Sequence, residues 1–146
     1  MKLMIQEQHK HYVAQEVVEK MLGNDPFSQW LGIQKVLVEP GKCVLKMKVK
    51  KEMLNGFGIL HGGVSFSLAD SAFAFASNSR GRKAFSIDNN ISYLHKVSEG
   101  EELVAKAEEI SLSEKIGIYQ VTITNQDQQM VAVFKGTVYR SSENWQ

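Results

Sequence analysis

One carboxylate stands out by its surroundings. Between Met53 and Ser79 nearly every side chain is Ala, Phe, Leu, Val, Gly or Ser. Asp70 alone is ionised there at neutral pH, with His61 able to become a second charge. Asp70 sits eight residues after Gly62, among Leu68, Ala69, Ala72 and Phe73. Asp is a poor residue inside a helix, gains nothing there from capping, and is costly to bury charged and unpaired. A carboxylate kept in such a place serves as a base or nucleophile, or it is structural. In the structural case it pairs with Arg or Lys from a strand, or bonds backbone at a subunit contact. Ahead of it runs His61-Gly62-Gly63. Two glycines let a ligand approach the backbone, and the first N–H groups of a helix point outward at its positive end. That suits an oxygen that becomes negative in a transition state. The plainer reading is a tight turn into a helix.

Other chemistries find less support. His9, His11, His61 and His95 make no His-x-x-x-His spacing with an acidic partner, so no metal site is expected. Ser65, Ser67 and Ser71 lack a Gly-x-Ser-x-Gly elbow or an evident His/Asp pairing. No phosphate-binding or dinucleotide fingerprint appears, and no cofactor is expected. The single cysteine, Cys43, lies in a strand-like run and is expected to be buried and structural.

The elements that must position Asp70 follow from periodicity. Residues 6–22 carry Val13, Val17, Met21 and Ala14, Val18, Leu22 at helical spacing, and Gly23-Asn24-Asp25-Pro26 is expected to end that helix. Residues 33–38 and 43–49 read as strands joined at Pro40-Gly41, the second alternating Cys43, Leu45, Met47 and Val49 with lysines. Residues 62–79 form a helix about 27 Å long, apolar on nearly every side and therefore expected to be enclosed. Residues 84–94, 103–111, 116–125 and 130–140 read as four further strands, the last three in hairpins. The fold class is α+β: an antiparallel sheet curled around one long central helix. The whole of 1–146 is expected to be one domain.

Composition bounds the partners. The chain is 43% hydrophobic and 23% charged, with 17 basic against 16 acidic residues and a net charge of +1. That balance gives no reason to expect nucleic acid or an anionic membrane as the main partner. The N-terminus lacks the apolar region of a signal peptide, and Val64 to Ala76 is too short and polar to span a bilayer, so a cytoplasmic protein is expected.

Four segments together resemble the phenylacetate-degradation (PaaI-type) thioesterases of the hotdog superfamily. They are Leu54-Asn55-Gly56, His61-Gly62-Gly63, Ser67-Leu68-Ala69-Asp70 and Asp88-Asn89-Asn90-Ile91-Ser92-Tyr93, and the likeness covers Gly32 to Arg140. The resemblance implies hydrolysis of small or aromatic acyl-CoA thioesters. Asp70 would activate water or attack the carbonyl, and the Gly62 N–H would hold the oxyanion. Asn55 would position the water or the facing subunit's carboxylate, Ser86 would assist the water, and His61 would orient the loop or the thioester. It further implies active sites between subunits, hence a homodimer, often paired into a homotetramer. Gly63, Phe57, Arg80, Arg82 and Lys83 are expected at the substrate, the three cations (with Lys115) for CoA phosphates. Phe66, Phe73 and Phe75 are further acyl-pocket candidates, although core packing explains most of them. The competing readings are a non-catalytic acyl-CoA binding module and a hydratase or dehydratase on the same fold.

Overall fold

The computed structural model describes residues 1–145. In chain order the elements are α1 (Lys2–Gly23), α2 (Pro26–Trp30), β1 (Gln34–Glu39), β2 (Lys42–Lys48), α3 (Gly62–Asn78), β3 (Arg82–Tyr93), β4 (Glu102–Leu112), β5 (Ile116–Thr124) and β6 (Met130–Asn144). The six strands make one antiparallel sheet in the order β1-β2-β4-β5-β6-β3. Helix α3 packs against five of them, all except β1, so the sheet wraps the helix as the α+β expectation requires. The wrap is not closed: β1 and β3 are its edges.

Alternation explains why these strands face the helix. Cys43, Leu45 and Met47 on β2, Leu103, Ala105 and Ala107 on β4, and Tyr119, Val121 and Ile123 on β5 are all buried. Every second residue of a strand shares one face, and here that face is the core. Cys43 lies inside this core with its thiol pushed up to about 12 by burial, which leaves it a packing residue. Phe73 is the centre of the ring packing, with its centroid 5.8 Å from Tyr119 and 5.5 Å from Phe134. Its ring lies on the bare backbone of Gly136, where an added Cβ would stand 2.7 Å from the ring.

The differences from expectation bear on the site. Helix α1 starts at Lys2 rather than near residue 6, and β6 runs to Asn144 rather than 140. Pro26 opens a second helix instead of only ending the first: the Asp25 carboxylate caps it, accepting from the Ser28 N–H at 2.9 Å and from its hydroxyl at 2.6 Å. Helix α3 is not enclosed on every side. Gly63, Ser67, Asp70 and Ala74 recur at i, i+4, i+7 and i+11, one face of the helix, and none of them is buried. The chain leaves a stripe of its central helix open, and Asp70 is on it. The Phe73–Gly136 contact gives a test of the fold: Gly136→Ala should lower stability by about 1–3 kcal/mol in urea unfolding. An unchanged midpoint would mean that the ring is free to move aside.

Candidate active site

The start of α3 settles which amide is open. His61 is the N-cap, in extended conformation, and its Nδ1 accepts from the Gly63 N–H at 2.9 Å. The Val64 N–H donates to the His61 carbonyl at 2.9 Å. Of the first three amides, Gly62 alone has no acceptor among the described residues. Because Nδ1 accepts, the proton of the neutral ring sits on Nε2. Gly62 itself is covered by Tyr93, whose hydroxyl donates to the Gly62 carbonyl at 2.9 Å. A Cβ at Gly62 would stand 2.9 Å from the tyrosine ring, so a larger residue there would have to push the Tyr93 side chain aside.

Asp70 is half-buried and has one hydrogen bond among the described residues: Asn89 Nδ2 donates to its Oδ1 at 3.4 Å. Burial raises its pKa above the ordinary 3.8, and the negative charge of Asp25 raises it further. Asp25 reaches the same helix through a short chain of hydroxyls. It accepts from Ser28, whose Oγ lies 2.8 Å from the buried Oγ of Ser71, the residue after Asp70. No cation pairs with Asp70 among the described residues, so the closed ion pair that would have made it structural is absent there. Along α3 the Gly62 amide and Asp70 are about 12 Å apart, at 1.5 Å per residue.

The other expected residues fall into two groups. Asn55 shapes its own loop: its Oδ1 accepts from the Phe57 N–H at 2.9 Å, and its carbonyl accepts from Gly58 at 3.0 Å. That turn holds Phe57 out at 90% exposure. Ser86 is exposed on β3, next to a register shift between Ser86 and Asp88 and three residues from Asn89. Gly63 lies with His61 and Ser67 on a cavity of about 360 Å³ between α2 and α3, which also takes in Phe27, Trp30 and Lys50. Its volume falls within the usual range for small-ligand pockets, about 300–1,000 Å³. Phe73 and Phe75 are fully packed, and Phe66 sits against Phe134, so these rings belong to the core.

Arg80, Arg82 and Lys83 follow the C-terminal end of α3, the opposite end from Gly62. Each holds a carboxylate: Arg80 pairs with Glu109 through two bonds of 2.8 and 3.1 Å, Arg82 with Glu114 at 3.1 Å, and Lys83 with Glu143 at 3.1 Å. The structure does not bring them together with the glycines. Sequence reasoning quoted Asn89 and Tyr93 only as part of a resembling segment, with no role assigned, and passed over Phe27, Trp30 and Lys50. Residues 89 and 93 share one face of a strand beside the bare Gly62, but the contacts that join them to α3 span 19 and 31 residues of chain.

The raised pKa of Asp70 has a consequence for stability. The folded protein holds this proton more tightly than the unfolded chain, so folding loses stability as pH rises from below 3.8 through the raised value. Well above the raised value that loss is felt in full. Asp70→Asn should therefore melt higher than the unaltered protein at pH 7, with the gap shrinking below pH 3.8. A lower melting temperature at pH 7 would show that partners stabilise the charge.

Comparison with known proteins shows the family and the fold. The thioesterase superfamily pattern matches residues 57–132. A putative esterase of Archaeoglobus fulgidus is 40% identical over 93% of this chain and 88% of its own. The acyl-coenzyme A thioesterase PaaI of Escherichia coli is 39% identical over 82% of this chain and 86% of its own. The solved structure of the E. coli PaaI protein has a TM-score of 0.90 at 36% identity, covering 92% of this chain and 97% of that one. A Streptococcus mutans protein solved with acetyl CoA bound has a TM-score of 0.75 at 27% identity, covering 77% of this chain and 91% of that one. With its central helix wrapped by an antiparallel sheet and a glycine pair opening that helix, this chain belongs to the thioesterase superfamily, in its PaaI-type hotdog branch.

Proposed function

We infer that the protein hydrolyses small or aromatic acyl-CoA thioesters, of which phenylacetyl-CoA is the type, to the free acid and CoA. The observation that carries this is the pairing on one helix of an unpaired amide at Gly62 with a desolvated carboxylate at Asp70, both on or beside an open stripe. The E. coli relative is named as an acyl-CoA thioesterase, and the S. mutans neighbour was solved with acetyl CoA. The aromatic pair Phe27 and Trp30, centroids 6.1 Å apart, lines a cavity that ends on His61 and Gly63 and suits a flat acyl group.

The distance along α3 supports an assembly of two chains. Groups about 12 Å apart cannot act on one carbonyl, which needs its donor and its attacking oxygen each within roughly 3–3.5 Å. A second copy laid antiparallel on the open stripe brings Gly62 of the partner subunit opposite Asp70. The exposed Phe85, Ile87 and Tyr93 on the free edge strand β3, with Leu94 just after it, supply apolar surface for that contact. The working unit in this reading is a homodimer; its pairing into a homotetramer is what the family resemblance implies, and a cytoplasmic location is what the sequence implies. Asp70 takes a proton from water as the water oxygen attacks the thioester carbon, or attacks that carbon itself to form a mixed anhydride that water then cleaves to the free acid and the restored carboxylate. The carbonyl oxygen becomes negative against the Gly62 N–H, the C–S bond breaks, and CoA leaves as the thiolate. Asn55 and Ser86 orient the water, and His61 holds the glycine turn. Arg80, Arg82 and Lys83 reach CoA phosphates only by exchanging their carboxylate partners, and Lys50 stands nearer the cavity.

A panel of acyl-CoA esters with free-thiol detection tests the reading. Release of CoA from an aromatic or short-chain ester is expected, and Asp70→Asn should lower kcat by about 100-fold or more, the range for losing a positioned base. CoA-ester binding without turnover would point to a binding module. A folded Asp70→Asn protein at the unaltered rate would remove Asp70 from the chemistry.

A further inference from the structure

Helix α3 and strand β3 run antiparallel and touch at two matched points. Tyr93 meets Gly62 and Asn89 meets Asp70. Four residues of strand span about 13 Å and eight residues of helix about 12 Å, so both contacts fit one unstrained alignment. One of the two strand residues, Tyr93, holds the backbone of the oxyanion donor. The other has no part in the reaction as described above.

Asn89 carries a cost. Its Oδ1 is buried and has no hydrogen-bond partner among the described residues. A buried acceptor left unpaired destabilises a fold, whereas a leucine of similar size would fill the position without that loss. The amide is therefore explained by its other end, the NH₂ that donates to Asp70. Turning the amide over would set Oδ1 against the carboxylate, an arrangement tolerable only with Asp70 protonated. We propose that Asn89 is a positioning residue that orients the Asp70 carboxylate through Oδ1 and keeps it ionised, leaving Oδ2 as the reacting oxygen. This rests on the thioesterase reading above.

The surroundings of Asp70 make such a donor useful. Burial and the carboxylate of Asp25, the N-cap of α2, both favour the protonated acid, which is inert as a base. On β3, Asp88 is exposed and its side chain points to the other face of the strand from that of Asn89. Among the described residues the Asn89 amide is the group that donates to Asp70 and opposes protonation. The bond is long at 3.4 Å. Hydrogen bonds at catalytic groups often tighten only once substrate is bound.

Kinetics on the full-length protein test this with Asn89→Leu and Asn89→Ala, assayed on phenylacetyl-CoA beside the unaltered enzyme and Asp70→Asn. Asn89→Leu should melt no lower than the unaltered protein, keep KM within about twofold, and lose kcat by about tenfold, the scale of one hydrogen bond to a charged group. The acid limb of its kcat–pH profile should move to higher pH. Asn89→Ala should show the same kinetic changes and stands in if leucine overpacks the site. Unchanged kcat and an unchanged acid limb in both variants would overturn the proposal. Carbon-13 titration of the Asp70 carboxyl needs no turnover: its midpoint should rise in the Asn89 variants, and an unmoved midpoint overturns the proposal as well. Failure of the unaltered enzyme to turn over, or full activity in Asp70→Asn, would count against the thioesterase reading and leave the carboxyl titration to decide the role of Asn89.

Discussion

A negative charge in the middle of an apolar helix has to be held somewhere between water and the core. Full enclosure of α3 would leave Asp70 protonated, and full exposure would leave it an ordinary acid with no dry surface for a substrate. The sheet resolves this by wrapping the helix with five of its six strands while leaving one stripe open. That stripe is spaced by helix geometry, and it carries Gly63, Ser67, Asp70 and Ala74. The remaining features of the site follow from where the stripe begins and what borders it.

At its beginning, the helix end spends its first amides deliberately. His61 satisfies the Gly63 N–H with its ring and the Val64 N–H with its carbonyl, which leaves one donor at the positive pole of α3. Tyr93 covers the same glycine from β3, so a side chain there would collide. Along one border, α2 sets the Asp25–Ser28–Ser71 chain against α3 and contributes a second carboxylate field to Asp70. Along the other, β3 contributes Asn89. The helix thus holds an open amide at its start and a carboxylate two turns later, and the 12 Å between them, at about 1.5 Å per residue, is why the proposed chemistry calls on a second chain.

Much of this was legible in the residues. The density of Ala, Phe and Leu around Asp70 marked α3, alternation marked the strand at 43–49, and the glycine pair marked the helix start. Where reading failed, the signal was local but ambiguous or else distant in the chain. Asp25-Pro26 is at once a stop for α1 and a start for α2, and the stop was the easier reading for so short a helix. Met1 offers no capping side chain, so nothing announced that α1 begins at Lys2. An all-round apolar helix was expected to be enclosed, yet Ser67 and Ala74 are small enough to sit on an open stripe. The ion pairs of Arg80, Arg82 and Lys83 join residues 29 to 60 positions apart, and no local pattern shows them.

The most direct test is a crystal structure with a hydrolysis-resistant ketone analogue of phenylacetyl-CoA, in which a methylene replaces the thioester sulfur. The account predicts the ketone oxygen about 3 Å from the Gly62 N–H of one subunit. It also predicts the ketone carbon facing the carboxylate of Asp70 in the neighbouring subunit. A ketone bound away from that amide, or a single chain binding the analogue with Asp70 turned from it, would contradict the account.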